Sequence, residues 1–319
     1  MKIPNKIDLA NIPTPLNTIT FNKTKFFIKR DDLTGVELSG NKVRKLEYLI
    51  YQAKKEKADY VFTRGGLQSN HCRATVLAAS KAGIKSKLFL WGKPYEAVDG
   101  NYFIDKFLDS EVKYLSKKEY EHASLIMDLE RRAFEKNGKK VFIIPEGGSS
   151  PLGIWGYVEC IEEMSLQVDL SLIQSIYVAA GSGGTAAGLL IGLALNNVKT
   201  KVNAVNVLYS KDYIRNRILT LISEFKTHFD LKFDLDENNL NIVDGYSEEG
   251  YKDITEDKVK VIKDFAKQTG IILDPAYTGK AFNAFNDLVL KKNKGMKNIF
   301  LHTGGLFGVF SHKKKYLSV

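Results

Sequence analysis

Short apolar runs that stop in glycine, serine or asparagine and then give way to a helical period recur along the whole chain. The runs fall at residues 25–28, 59–63, 86–91, 112–115, 141–144, 176–180, 202–208 and 298–302. Compact runs without polar alternation suit strands covered on both faces, and the helical segments between them supply the cover. The chain is therefore read as α/β with mostly parallel sheet. Residues 1–24, punctuated by Pro4, Pro13 and Pro15, are read as an irregular lead-in, and 234–251 as loops. A single long helix is expected over 117–136. At 319 residues there is room for two α/β lobes with a cleft between them.

Composition narrows the function classes. Hydrophobic content of 44% and charged content of 26% are ordinary for a soluble protein. The longest apolar stretch, around residues 188–195, is about half of what a membrane span needs. No apolar signal region follows the first charges, and two cysteines in the whole chain suit a reducing compartment, so a cytoplasmic protein is expected. The net charge of +10 raises nucleic-acid binding, but the lysines are scattered over helical faces and only Lys313-Lys314-Lys315 is a pure run. Neither a nucleic-acid nor a membrane partner is expected. An anionic substrate or a phosphorylated cofactor also suits a positive field.

In open parallel sheets ligands sit at the carboxyl ends of strands. Ser39-Gly40-Asn41 ends on Lys42, where a helical pattern begins with Val43, Leu46, Leu49 and Ile50. A lysine in the first turn of a helix meets the positive end of the macrodipole, which disfavours its ammonium and leaves an amine able to attack an aldehyde. Taken alone it reads first as one more solvated lysine, and it needs corroboration from elsewhere in the chain. Gly181-Ser182-Gly183-Gly184-Thr185 ends the run 176–180; its backbone can curl its N–H groups around a phosphate at a helix N-terminus. A dinucleotide site would want an acidic residue after the next strand, where Tyr209-Ser210-Lys211 stands instead. Gln68-Ser69-Asn70-His71 offers a hydroxyl and an amide on another strand-to-helix turn, although Ser69 is also a helix cap. His71 has no second ligand at metal spacing, so no metal is expected, and Cys72 reads as a small buried residue.

These segments, with Asp274-Pro275-Ala276-Tyr277-Thr278-Gly279 and His302-Thr303-Gly304-Gly305, occur in one order. Together they resemble the D-cysteine desulfhydrase and 1-aminocyclopropane-1-carboxylate deaminase family. The resemblance spans about residues 29–305. It implies the tryptophan-synthase-β-like fold of pyridoxal-phosphate enzymes: two open, twisted, mostly parallel sheets flanked by helices, with the active site between domains. Residues 1–44 and 153–319 would form the large cofactor-binding domain and 45–152 the small one. The resemblance implies that Lys42 holds pyridoxal 5′-phosphate through an imine and that Asn70 lies beside its phenolic oxygen. Gly181, Ser182, Gly183, Gly184 and Thr185 would cradle its phosphate, and Thr278 or Thr303 would face its ring nitrogen. Ser69, Asn70 and His71 would meet the substrate, Tyr277 would stand over it, and Tyr251 falls where the family has another active-site tyrosine. The Lys-Asp-Ile after Tyr251 departs from the family's Gly-Val-Pro. A homodimer is implied as well.

The deaminase pattern has a glutamate directly after the tyrosine and a leucine in the last glycine-rich turn, where this chain has Thr278 and Thr303. A carboxylate keeps the ring nitrogen protonated; a threonine hydroxyl gives a milder electron sink. A mild sink suffices for α,β-elimination of a good leaving group. The expected activity is therefore conversion of D-cysteine to pyruvate, ammonia and hydrogen sulfide. Deamination of 1-aminocyclopropane-1-carboxylate to 2-oxobutyrate is the alternative, and a cofactor-binding protein with little turnover the non-enzymatic one.

Overall fold

The computed structural model describes every residue except Met1, Lys2, Ala97, Tyr251 and Lys252. In chain order its elements are β1 (Leu16–Phe21), β2 (Thr24–Arg30), α1 (Lys42–Lys55), β3 (Tyr60–Gly66), α2 (Asn70–Lys81), β4 (Lys85–Trp91), α3 (Gly100–Phe107) and β5 (Glu111–Leu115). Then come α4 (Lys117–Glu121), α5 (Ala123–Lys136), β6 (Val141–Ile143), α6 (Pro151–Ser165), β7 (Ser175–Ala180), α7 (Gly184–Leu195), β8 (Lys201–Asn206) and α8 (Lys211–Phe229). The chain ends in β9 (Leu240–Val243), α9 (Glu256–Thr269), α10 (Thr278–Leu288), β10 (Asn298–His302), α11 (Leu306–Phe310) and α12 (Lys313–Leu317).

Among the described residues the strands form two sheets, in the orders β1-β2-β10-β7-β8-β9 and β5-β4-β3-β6. Every pairing is parallel except β1 with β2, where Leu16 faces Lys29 and Phe21 faces Thr24. The chain thus leaves the larger sheet after β2, builds the smaller one, and returns at β7. The α/β expectation is met in both sheets.

Two elements depart from it. The lead-in carries β1, whose Leu-Asn-Thr-Ile-Thr-Phe alternation is masked by its polar and proline-rich surroundings, and 234–251 carries β9. Both are edge strands, buried on fewer sides, so neither has the apolar run that marks the inner strands. The helix expected over 117–136 is broken at His122. A Ser116–Glu119 capping box opens α4, which ends at His122, and α5 starts afresh at Ala123.

Helices bury apolar faces against both sides of the larger sheet. Ile154, Val158 and Ile161 of α6 pack with Leu189 and Ile191 of α7 and Ile218 of α8 on one face. Val259, Ile262 and Phe265 of α9 pack with Phe282 and Phe285 of α10 on the other. In α1 the predicted apolar face, Val43, Leu46, Leu49 and Ile50, is buried against α2 residues Ala74 and Ala78 and against Ile144. Among the described residues no helix is long and apolar enough to cross a membrane.

Candidate active site

The carboxyl ends of β3, β4, β6, β7, β8 and β10 open on one cavity of about 240 Å³. It gathers Lys42, Ser69, Asn70, His71, Gly181, Ser182, Gly183, Thr185, Tyr277 and Thr303, residues spread over more than 260 positions of sequence. Three helix N-termini, those of α1, α2 and α7, border it, each with unpaired N–H groups and a positive dipole end.

Lys42 opens α1, and its Nζ donates to Asn41 Oδ1 at 3.1 Å. Asn41 Nδ2 donates in turn to Thr185 Oγ1 at 3.0 Å, tying the first turn of α1 to that of α7. Burial brings the Lys42 amine down to about 8, against the opposing pull of the Asp274 and Glu146 carboxylates. Near that pH about half of such amines are neutral, where an ordinary lysine leaves only about one in three hundred. Burial is a tertiary cause that the helix-terminus argument did not contain.

The 181–185 turn is built for close approach. Gly183 has φ +82°, open to glycine at little cost, and a Cβ on Gly184 would stand 2.3 Å from Ser149 Oγ. Ser182 and Ser149 hydroxyls are 2.8 Å apart. Behind the turn lies Lys45, fully buried, whose Nζ donates to the Gly147 carbonyl at 3.2 Å and Ser149 Oγ at 3.4 Å. Burial, then the charge of Lys42, pushes its amine well below the ordinary lysine value. A buried amine that donates to neutral oxygens, at a glycine turn and a helix N-terminus, is a site for an anion. Sequence reasoning missed Lys45, although its position three residues after Lys42 puts both on one helix face.

Ser69 caps α2 and also lines the cavity. Its Oγ accepts from Cys72 N at 3.2 Å, and the same hydroxyl hydrogen-bonds to the Cys72 thiol. Asn70 Oδ1 accepts from Asn101 Nδ2 at 2.8 Å, and Asn101 Oδ1 is held by Arg73 Nε at 2.8 Å. That orientation turns the Asn70 NH₂ toward the cavity as a donor. His71 borders the cavity with its ring buried. Thr63 Oγ1 donates to the Ile144 carbonyl and so accepts from His71 Nε2–H, each at 2.8 Å. Burial and the two lysines keep the imidazole neutral, its pKa well below the usual value. What His71 offers a ligand is its backbone N–H in the first turn of α2. Burial raises the Cys72 thiol well above its ordinary value, which suits a packing residue.

Thr303 lines the cavity and Thr278 does not. The Thr278 hydroxyl is committed elsewhere: it donates to Asp274 Oδ1 at 2.6 Å and accepts from Asp274 N at 2.8 Å. Asp274 also takes the N–H groups of Ala276, Tyr277 and Thr278, so this carboxylate shapes the turn that carries Tyr277. Tyr251 lies outside the described residues. Sequence reasoning also missed Glu146, which borders the cavity from the turn after β6, with Oε2 3.4 Å from Arg64 Nε.

Comparison with known proteins agrees with this geometry. The family model described as pyridoxal-phosphate dependent enzyme matches residues 7–304. The chain is 38% identical over 320 residues to the mitochondrial bifunctional D-cysteine desulfhydrase/1-aminocyclopropane-1-carboxylate deaminase of Arabidopsis thaliana, covering 95% of this chain and 78% of that protein. It is 32% identical over 319 residues to the D-cysteine desulfhydrase of Salmonella paratyphi C, covering 96% of each. A crystal structure of a 1-aminocyclopropane-1-carboxylate (ACC) deaminase homologue superposes with a TM-score of 0.89 at 37% identity, covering 99% of this chain and 96% of that one. The chain therefore belongs to the pyridoxal-phosphate dependent enzymes, with pyridoxal 5′-phosphate as its cofactor and the type II fold of that family.

Proposed function

We propose that this enzyme carries out α,β-elimination on D-cysteine, giving pyruvate, ammonia and hydrogen sulfide. The observation that carries the choice is Thr303, a hydroxyl where the deaminase pattern has a leucine, as the side chain from the last glycine-rich turn that borders the cavity. The residues present fit the cofactor: Lys45 is a buried amine with no carboxylate partner among the described residues, behind a glycine turn that a Cβ would fill. Lys45 Nζ and the N–H groups of 181–185 would hold the phosphate, Asn70 Nδ2 the phenolic oxygen, and Thr303 Oγ1 the ring nitrogen. Bound there, pyridoxal phosphate supplies an aldehyde for an amine and an electron sink for the bond broken at the α-carbon.

The rest falls to side chains. Lys42 gives up its place to the substrate amine, and its neutral Nζ then takes the α-proton. The Ser69 hydroxyl and the N–H groups at the start of α2 hold the substrate carboxylate. Tyr277, whose ring stands 3.2 Å from where a Cβ on Gly181 would be, delivers a proton to the departing sulfur. Tyr251 is proposed as a second tyrosine of the site on the family resemblance alone. The Thr278 hydroxyl, spent on Asp274, serves the turn.

Deamination of 1-aminocyclopropane-1-carboxylate is the second reading, favoured by relatives whose names carry that activity. We further infer a cytoplasmic homodimer. The two buried, unbridged cysteines are in keeping with the compartment, and the dimer is a family expectation. A paired assay on the yellow holoenzyme tests the substrate. Sulfide and pyruvate from D-cysteine, with little or no 2-oxobutyrate from the cyclopropane, are expected. The opposite preference would overturn the choice, and a protein that binds the cofactor yet turns over neither would favour a binding role.

A further inference from the structure

Trp91, Tyr120, Glu146, Leu208 and Tyr209 form a further stretch of the cavity wall. It is largely aromatic, with the Trp91 and Tyr120 rings 6.4 Å apart, and Glu146 sets a carboxylate into it. Arg64 fixes that carboxylate at 3.4 Å while its guanidinium lies 5.4 Å from the Tyr120 ring centroid. The Tyr120 hydroxyl also hydrogen-bonds to Glu146. Burial outweighs the opposing pull of Arg64, Tyr120 and Lys42 and leaves the Glu146 carboxyl above its ordinary value.

Two carboxylates act on the Lys42 amine, Asp274 and Glu146. Asp274 is already saturated: Oδ1 accepts from Thr278 N at 2.7 Å and Thr278 Oγ1 at 2.6 Å, and Oδ2 from Ala276 N at 3.2 Å and Tyr277 N at 3.1 Å. Glu146 lines the cavity and has Arg64 and Tyr120 as partners. The other acid on this wall, Glu121, is exposed on α4, where water and salt screen it. A substrate amine that replaces the Lys42 amine carries its β-carbon into the same neighbourhood. Any charge on the β-substituent then meets the Glu146 charge in a partly dehydrated, aromatic surrounding, where like charges repel strongly.

We propose that Glu146 is a specificity-determining residue: it admits amino acids that carry no charge at the β-position and rejects those whose β-substituent is anionic. This rests on the proposed reading of the cavity as an amino-acid site over pyridoxal phosphate. Binding of D-alanine and D-aspartate to the holoenzyme, read from the cofactor's absorbance at about pH 8, tests it without turnover. Glu146→Gln is expected to tighten D-aspartate relative to D-alanine by about tenfold or more, with D-alanine changed less than about twofold. Glu146→Asp, which keeps the charge, should stay near the wild-type ratio. An unchanged ratio in Glu146→Gln, or equal weakening of both ligands, would overturn the role. If neither amino acid perturbs the wild-type absorbance, the reading of the cavity fails and the role of Glu146 with it; a response to D-alanine with an unchanged ratio sinks Glu146 alone.

Discussion

Lys42 and Lys45 stand on one face of one helix, yet only Lys42 could be picked out from its neighbours in sequence. Ser-Gly-Asn before Lys42 marks a turn and a helix start. Lys45 sits in a Lys-Val-Arg-Lys-Leu pattern that any solvated basic helix shows, and its burial is decided by Gly147 and Ser149, about a hundred residues away. Glu146 and Thr278 were opaque for the same reason. The partners that aim or consume their polar atoms, Arg64 and Asp274, are set by the fold. Lys45 has a thermodynamic consequence. Its folded-state pKa lies below the unfolded value, so at neutral pH folding must strip or strain a proton, and the group costs stability until an anion arrives. Lys45→Met keeps the buried stem and removes the charge. The apoprotein should melt a few degrees higher by calorimetry, while affinity for pyridoxal phosphate falls by about tenfold or more. Affinity for pyridoxal, which lacks the phosphate, should hardly move. A matching loss for both ligands would show that Lys45 acts on the site as a whole.

At the scale of elements, the inner strands and most helices were legible because burial on all sides demands the apolar runs and periods that sequence displays. Edge strands β1 and β9 were not, since one flank of each meets solvent and the pattern thins. The helix α7 carries a subtler signal. Gly184, Gly188 and Gly192 recur every fourth residue on one face, and that face meets the cradle and then α6. A Cβ on Gly188 would stand 2.5 Å from Tyr157 Cβ and 2.8 Å from the Ile154 carbonyl oxygen. Alanine is the better helix former by about 1 kcal/mol. Here the clash involves backbone and the base of a side chain, neither of which can swing away, so overpacking wins. Gly188→Ala should lower stability by about 1–3 kcal/mol in urea titration. Because α7 would be pushed off α6, its N-terminal turn should also bind inorganic phosphate less well. A stabilised variant would mean that the two helices part more readily than their spacing implies.

Over the whole molecule, the sheets account for positions 16–30 and 175–302 on one side and 60–143 on the other, and we propose that domain boundaries near residues 44 and 152 separate them. What ties the early chain to its middle is a buried ionic cluster. Arg44 of α1 donates to Asp31 Oδ2 and Oδ1, each at 2.9 Å, and to Glu163 Oε2 of α6 at 2.8 Å. Lys29 of β2 pairs with Glu163 and donates to the Thr14 carbonyl at 2.6 Å, and Tyr157 O–H donates to Asp31 at 2.5 Å. Thr14 of the lead-in, β2, the first helix and α6 thus share one network whose members could not be matched from sequence. Burial pushes the Asp31 carboxyl up, but Arg44, Tyr157 and Lys29 outweigh it and hold it below its ordinary value; Arg44 and Lys29 do the same for Glu163. Carboxyls depressed in the folded state add stability that is complete above the ordinary carboxylate range and is lost as pH falls through their folded values. Arg44→Met leaves Asp31 buried without its main counter-ion, and should cost about 3–5 kcal/mol at neutral pH. Its acid unfolding should begin at higher pH than in the wild type, because Asp31 no longer resists protonation. Stability measured by urea titration from about pH 3 to pH 8 checks both: a loss that is the same at every pH would assign the effect to lost packing of the Arg44 stem instead of to the charges it holds.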